Sequence, residues 1–128
     1  MKITLLGDDG IRLEPIPGPM TIEAESADQL YSPFHMMASS LAFCTYSVLA
    51  SWATNAKLES SDIVIELTWT FVEEPHRVGG MDVKIVWPSL PEARRSAAGR
   101  VSGLCAIHAT LTHLPTITTV VESTGAGS

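Results

Sequence analysis

Charge is scarce in this chain. Only 17% of its 128 residues are Asp, Glu, Lys or Arg, and the eight Lys and Arg form no long run. With a formal net charge of −6, there is no basic surface for a polyanion. Nucleic acid and anionic membrane surfaces are therefore not expected as partners. Cysteine is scarcer still, with two residues, Cys44 and Cys105. The opening "MKITLLGDDG" has one Lys and four uncharged residues before a Gly and two Asp, too short a run for a signal-peptide core. The expected location is the cytoplasm, where two cysteines point to reduced, catalytic or metal-bound thiols rather than a structural staple. No Gly-rich phosphate loop and no Ser-His-Asp arrangement can be read from the sequence.

The chain does contain enough apolar residues for one domain. At 45% hydrophobic, a single domain over 1–128 is expected, with 123–128 as a loose tail. Short strands are predicted at "KITLL" (2–6), "IRLEPI" (11–16) and "MTIEA" (20–24), separated by the turn signals "GDDG" and "PGP". Ser32 and Pro33 suit the N-cap and first position of a long helix. It should end near Ala56, at about 24 residues and roughly 36 Å. "DIVIELTWTFVEE" places Ile63, Ile65, Leu67, Trp69 and Phe71 on one face of a strand. "PHRVGG" is read as the turn of a hairpin, and "MDVKIVW" (81–87) as its second arm. A helix with an Ala97, Val101 and Leu104 stripe follows, breaking near Gly103. "CAIHATLTHL" holds a short helix and "PTITTVVE" (115–122) a last strand. This order makes an α+β fold.

No Asp, Glu, Lys or Arg lies between His35 and Lys57, and Cys44 sits near the middle of that stretch. Its length suffices for a membrane span. Seven hydroxyls, from Ser39, Ser40, Thr45, Tyr46, Ser47, Ser51 and Thr54, argue against one. A helix apolar on nearly all sides is otherwise buried in a large core or an oligomer, and in a chain this small an oligomer is the better explanation. Ser40, Cys44, Ser47 and Ser51 form a small-residue stripe that admits a backbone or a ligand. Three readings of the thiols stand at this point. Cys44 can be an inert packing cysteine. Cys44 and Cys105 can meet in space and cycle between dithiol and disulfide, Cys105 gaining thiolate character from a helix N-terminus. Cys105 and His108 can bind metal with His35, His113 or Cys44, although the spacing matches no standard zinc pattern. His76 is read as solvated in the hairpin turn.

Two segments carry a family resemblance. "SPFHMMASSLAFCTYSVLASWATNAKLESSDIVIEL" is a Pro-initiated helix bearing the first cysteine before a long strand. "GLCAIHATLTHLPTI" resembles a second-cysteine segment, with Ala106 where Pro is common. Together the two segments resemble the OsmC/Ohr superfamily of thiol-dependent hydroperoxide reductases, and within it a shorter OsmC-like branch. The resemblance implies an OsmC-like fold and an intertwined homodimer whose sheets wrap paired central helices. It implies that Cys44 attacks an organic hydroperoxide, forms a sulfenic acid and condenses with Cys105. A small dithiol or a lipoylated protein would then reduce the disulfide. It implies no cofactor and no metal. The family's activating Arg lies in a G-R-D-G turn, and here Asp8 stands in that place. The Glu that holds this Arg follows the helix-starting Pro, and here that residue is Phe34. A buried thiol needs a nearby positive charge to ionise, with Arg12, Arg77 or protonated His108 as substitutes. The alternative function is a non-catalytic dimer that binds an apolar small molecule.

Overall fold

The structure, a computed structural model, describes residues 2–5, 11–14 and 33–125. The chain divides into two compact units, Met1–Leu30 and Tyr31–Ser128. In the first unit, β1 (Lys2–Leu5) and β2 (Ile11–Glu14) pair antiparallel, from Lys2 opposite Glu14 to Leu5 opposite Ile11. These are the two strands expected on either side of "GDDG". Asp8 and the strand expected at 20–24 lie outside the described residues.

The second unit is built on α1 (Pro33–Asn55), 23 residues long. Pro33 opens it, where a missing N–H costs no intrahelical bond. Its end is a Schellman turn. Lys57 takes the left-handed conformation at φ 58°. The Leu58 N–H donates to the Ala53 carbonyl at 2.8 Å and the Lys57 N–H to that of Thr54 at 3.2 Å. The apolar side chain of Leu58 then packs on the core. A residue longer than Gly occupies this position, which is why the sequence carries no Gly stop signal here.

One face of α1 is buried: Ala38, Leu41, Thr45, Leu49 and Ala53. They recur every three or four residues, so they share one side. That side packs on β3 (Val64–Val72) and on two later helices, α2 (Arg95–Ser102) and α3 (Ala106–Thr112). By length and composition α1 could cross a membrane, but its buried face is covered by protein. The core gathers Leu49, Ala53, Ile63, Trp87 and Ala98, with Trp52, Leu58 and Val101 packed against them. The Trp87 indole N–H donates to the Glu59 carbonyl at 2.9 Å, so burying it leaves no polar atom unpaired.

β3 pairs antiparallel with β4 (Arg77–Val86), Val64 opposite Val86 and Val72 opposite Arg77. Burial alternates along β3 as the sequence pattern predicts, with Ile65, Leu67 and Trp69 half-buried. The expected turn "PHRVGG" is a misplacement. β4 already starts at Arg77, and Gly79 forms a bulge opposite the Thr70–Phe71 step. A Cβ at Gly79 would run into the Val72 side chain, so this glycine serves a close approach in the ladder and not a turn.

A one-turn 3₁₀ helix (Glu92–Arg94) leads into α2, which stops at Gly103 as expected. Its stripe is shifted, however. Ala98 is buried and Leu104 is 74% exposed, because the helix ends before Leu104 can turn inward. The expected strand at 115–122 forms no ladder. Leu114, Ile117, Val120 and Val121 are 83–88% exposed. A β-rich sequence makes a strand only where an edge is offered, and no strand of the described residues lies alongside.

Candidate functional site

Cys44 and Cys105 lie 61 positions apart in sequence, and the fold brings them together. α1 presents Cys44 half-buried on a side turned towards α3. Cys105 is the N-cap of α3 and fully buried. The break at Gly103 lets the chain reverse and start α3 against α1. Both cysteines are free thiols, and each shifts the other's pKa.

The two sulfurs are not equivalent. Burial raises the Cys44 pKa, but three hydrogen bonds outweigh it, from the Cys105 thiol and from the backbone N–H groups of Ile107 and Ala106, and leave it below the ordinary thiol value. Cys105 moves the other way. Burial pushes it up, and its hydrogen bond to Cys44 adds to that; N–H groups of His108 and Ile107 only partly oppose the rise. Its sulfur accepts from the His108 N–H at 3.4 Å. When the pair gives up one proton, these shifts favour the charge on Cys44 and the remaining proton on Cys105. The expectation that the helix start would favour a Cys105 thiolate is reversed. Cys105 is too deeply buried, and the first N–H groups of α3 reach across to Cys44.

No lysine or arginine among the described residues contributes to the lowered Cys44 value. Arg77, a suggested substitute cation, spends its guanidinium in the hairpin turn on the carbonyls of Glu73 (3.3 Å) and Pro75 (2.8 Å). The Arg12 side chain and Asp8 lie outside the described residues. Phe34, in the place of the expected Glu, packs edge-on against Phe71 with ring centroids 4.9 Å apart. That position ties the start of α1 to β3.

The small-residue stripe has its polarity turned inward. Ser40 donates to the Met37 carbonyl at 2.7 Å and Ser47 to that of Phe43 at 2.9 Å. These hydroxyls are satisfied within the helix and leave a short, apolar wall beside Cys44. Among the described residues, no three His, Cys, Asp or Glu side chains come together to hold a metal. His113 bonds within its own helix end, to the Ala109 carbonyl and Thr112, and His35 lies against the Trp69 ring.

A cavity of about 410 Å³ opens between α1, β4 and α3, and neither cysteine is among its lining residues. Met37 and Leu41 of α1, Met81 and Val83 of β4, and His108 and Leu111 of α3 contribute to its walls. Met37, Leu41 and Cys44 share one face of α1, and Cys105, His108 and Thr112 one face of α3. Each wall thus leads to a cysteine one turn further on. The sequence reading missed two elements: the N–H groups of Ala106 and Ile107, and this cavity. Ala106 was the available signal, since an Ala there keeps an N–H that a Pro would lack.

Comparison with known proteins agrees with this architecture. A family model described as OsmC-like protein matches residues 20–120. A crystal structure from Psychrobacter arcticus 273-4 superposes with a TM-score of 0.60 at 19% identity. It is provisionally described as an osmotic stress induced and detoxification response protein. The match covers 65% of this chain and 61% of that one, and at this identity it shows the fold alone. A comparison with curated proteins gives no match.

Proposed function

Because this chain belongs to the OsmC-like protein family, we propose that it reduces organic hydroperoxides through a Cys44/Cys105 dithiol–disulfide cycle. The observation that carries this reading is that the fold sets two free thiols near enough for each to shift the other's pKa, in opposite directions. Cys44, as thiolate, attacks the terminal oxygen of the peroxide. The sulfur–oxygen bond forms as the O–O bond breaks, and the alkoxide takes up a proton to leave as alcohol. Cys44 is now a sulfenic acid. The Cys105 thiol condenses with it, giving a disulfide and water, and an external dithiol, small or lipoyl-borne, returns both sulfurs to thiols. The cavity favours an alkyl substrate over hydrogen peroxide, since its walls are largely Met, Leu and Val. A cytoplasmic setting, where dithiol reductants are at hand, belongs to the same reading, and the chemistry fits a defence against oxidative stress.

The working unit in this reading is a homodimer. Phe43 and Tyr46 are 43% and 39% exposed on the side of α1 away from its buried face. Among the described residues, β3 and β4 form a sheet of two strands and the apolar segment at 115–122 pairs with no strand, and each is incomplete alone. A second copy would cover both.

One observation favours a second reading. Phe34 packs on Phe71 where an activating carboxylate is expected, yet the apolar cavity is intact. A non-catalytic dimer that binds an apolar small molecule would keep just these features. One experiment separates the two. Reduced protein is treated with one equivalent of an alkyl hydroperoxide and its intact mass is measured. Loss of two hydrogens, abolished by Cys44→Ser, supports the cycle. Thiols unchanged after long exposure overturn it and leave the binding reading. Activity that appears only on restoring the charge pair, with Asp8→Arg and Phe34→Glu, supports binding as the native role.

A further inference from the structure

The peroxide step leaves an alkoxide in a cavity that has little else to stabilise it. Among the described residues on the cavity walls, His108 is the one with an ionisable side chain. The other three histidines are engaged: His35 with Trp69, His76 with Glu73, and His113 with the Ala109 carbonyl. The His108 backbone is also engaged, its N–H on the Cys105 sulfur and its carbonyl on Thr112. Its imidazole has no hydrogen-bond partner among the described residues. It directly follows Ala106 and Ile107, whose N–H groups reach the Cys44 sulfur. It also stands one turn of α3 beyond Cys105, on the face that lines the cavity. A free imidazole thus lines the apolar cavity, one turn of α3 beyond Cys105.

We propose that His108 is the proton donor to the leaving alkoxide when Cys44 attacks an organic hydroperoxide. The proposal rests on the peroxidase reading and adds a residue to it. As the sulfur–oxygen bond forms, the O–O electron pair moves to the alkyl oxygen, which takes the proton from imidazolium. Cys44 is oxidised to sulfenic acid, the peroxide is reduced to alcohol, and His108 is left neutral. His108 is exposed on its outer side, so solvent reprotonates it for the next turnover. Imidazole suits this role because one ring nitrogen can give up a proton in the step and regain it from solvent.

The test uses two oxidants that differ in leaving group. An alkyl hydroperoxide releases a strongly basic alkoxide. An aromatic peracid releases a carboxylate, which needs no proton. Single-turnover loss of thiols is followed by rapid quench and mass measurement for the natural protein, His108→Gln, and His108→Ala with and without added imidazole. The His108→Gln change should slow the alkyl hydroperoxide reaction by about 100-fold and the peracid reaction by less than about threefold. Free imidazole should restore part of the alkyl hydroperoxide rate in His108→Ala. Equal losses with both oxidants, no loss with either, or no rescue by imidazole would overturn the role of His108. A natural protein whose thiols survive both oxidants would overturn the peroxidase reading itself. That result is distinct, because it appears before any variant is compared.

Discussion

Replacing Ala106 by Pro isolates one backbone donor at the thiol pair. The change removes the N–H that reaches Cys44 and little else. Ala106 is the first residue of α3, where Pro is well accommodated. Cys105 before it has φ −63° and ψ 130°, the extended conformation that a residue preceding Pro prefers. The helix should therefore survive. A hydrogen bond to a charged group is worth about 1.5–3 kcal/mol. The Ala106 bond is the weakest of the three at Cys44 and the sulfur is half-exposed, so about 1 kcal/mol is the better expectation. The Cys44 pKa should rise accordingly. Thiolate absorbance near 240 nm, titrated in the Cys105→Ser background and again with Ala106→Pro, reads the shift directly. Stability should follow with a definite sign. A thiol whose folded pKa is depressed stabilises the fold fully above its unfolded value, and loses that contribution as pH falls through the folded value. Ala106→Pro should thus cost stability mainly at high pH, near and above the ordinary thiol value of 9.0, and little at pH 6. An unchanged titration, or a loss of stability equal at both pH values, would refute the assignment of charge to Cys44.

Two further outcomes test the frame around the site. Leu49 is fully buried at the centre of the core, so Leu49→Ala should lower unfolding free energy by about 2–5 kcal/mol in denaturant titrations; a loss under about 1 kcal/mol would mean the core is placed wrongly. The exposed segment at 115–122 should be an interface, so Ile117→Lys with Val121→Lys should convert a dimer to monomers by light scattering. A natural protein that is monomeric at all concentrations would remove that reading.

The hairpin and both cysteine-bearing helices were legible because each rests on a local rule. Alternation from Ile63 to Phe71 marks β3, and Pro33 marks the start of α1. The errors share a cause. Gly79 and Gly80 read as turn residues because glycine marks both turns and bulges, and only the opposing Val72 side chain tells which. Leu104 read as core because a stripe drawn past Gly103 assumes the helix continues. The strand at 115–122 has the right residues, but strand formation depends on an edge that local sequence does not encode. At the site, Cys44 and Cys105 could be nominated as a pair. The family resemblance named Cys44 as the attacking thiolate, but the residues alone pointed to Cys105 at the helix start, because local sequence does not say how deeply each sulfur is buried.

The substitution at the family's activating positions looked like a loss of reactivity, and the geometry gives it a different meaning. Desolvation does oppose the Cys44 thiolate, as expected for a thiol on a core helix. Among the described residues, no arginine contributes to the compensation. The compensation comes from a neighbouring thiol and two peptide N–H groups held at fixed positions by the start of α3. Fixed dipoles in a poorly solvated site stabilise charge without the reorganisation that a mobile side chain requires. Phe34 serves packing, edge-on to Phe71. The same logic explains why Ala106 matters: in a site whose charge rests on backbone donors, a residue that keeps its N–H contributes to the chemistry, and a proline there would not.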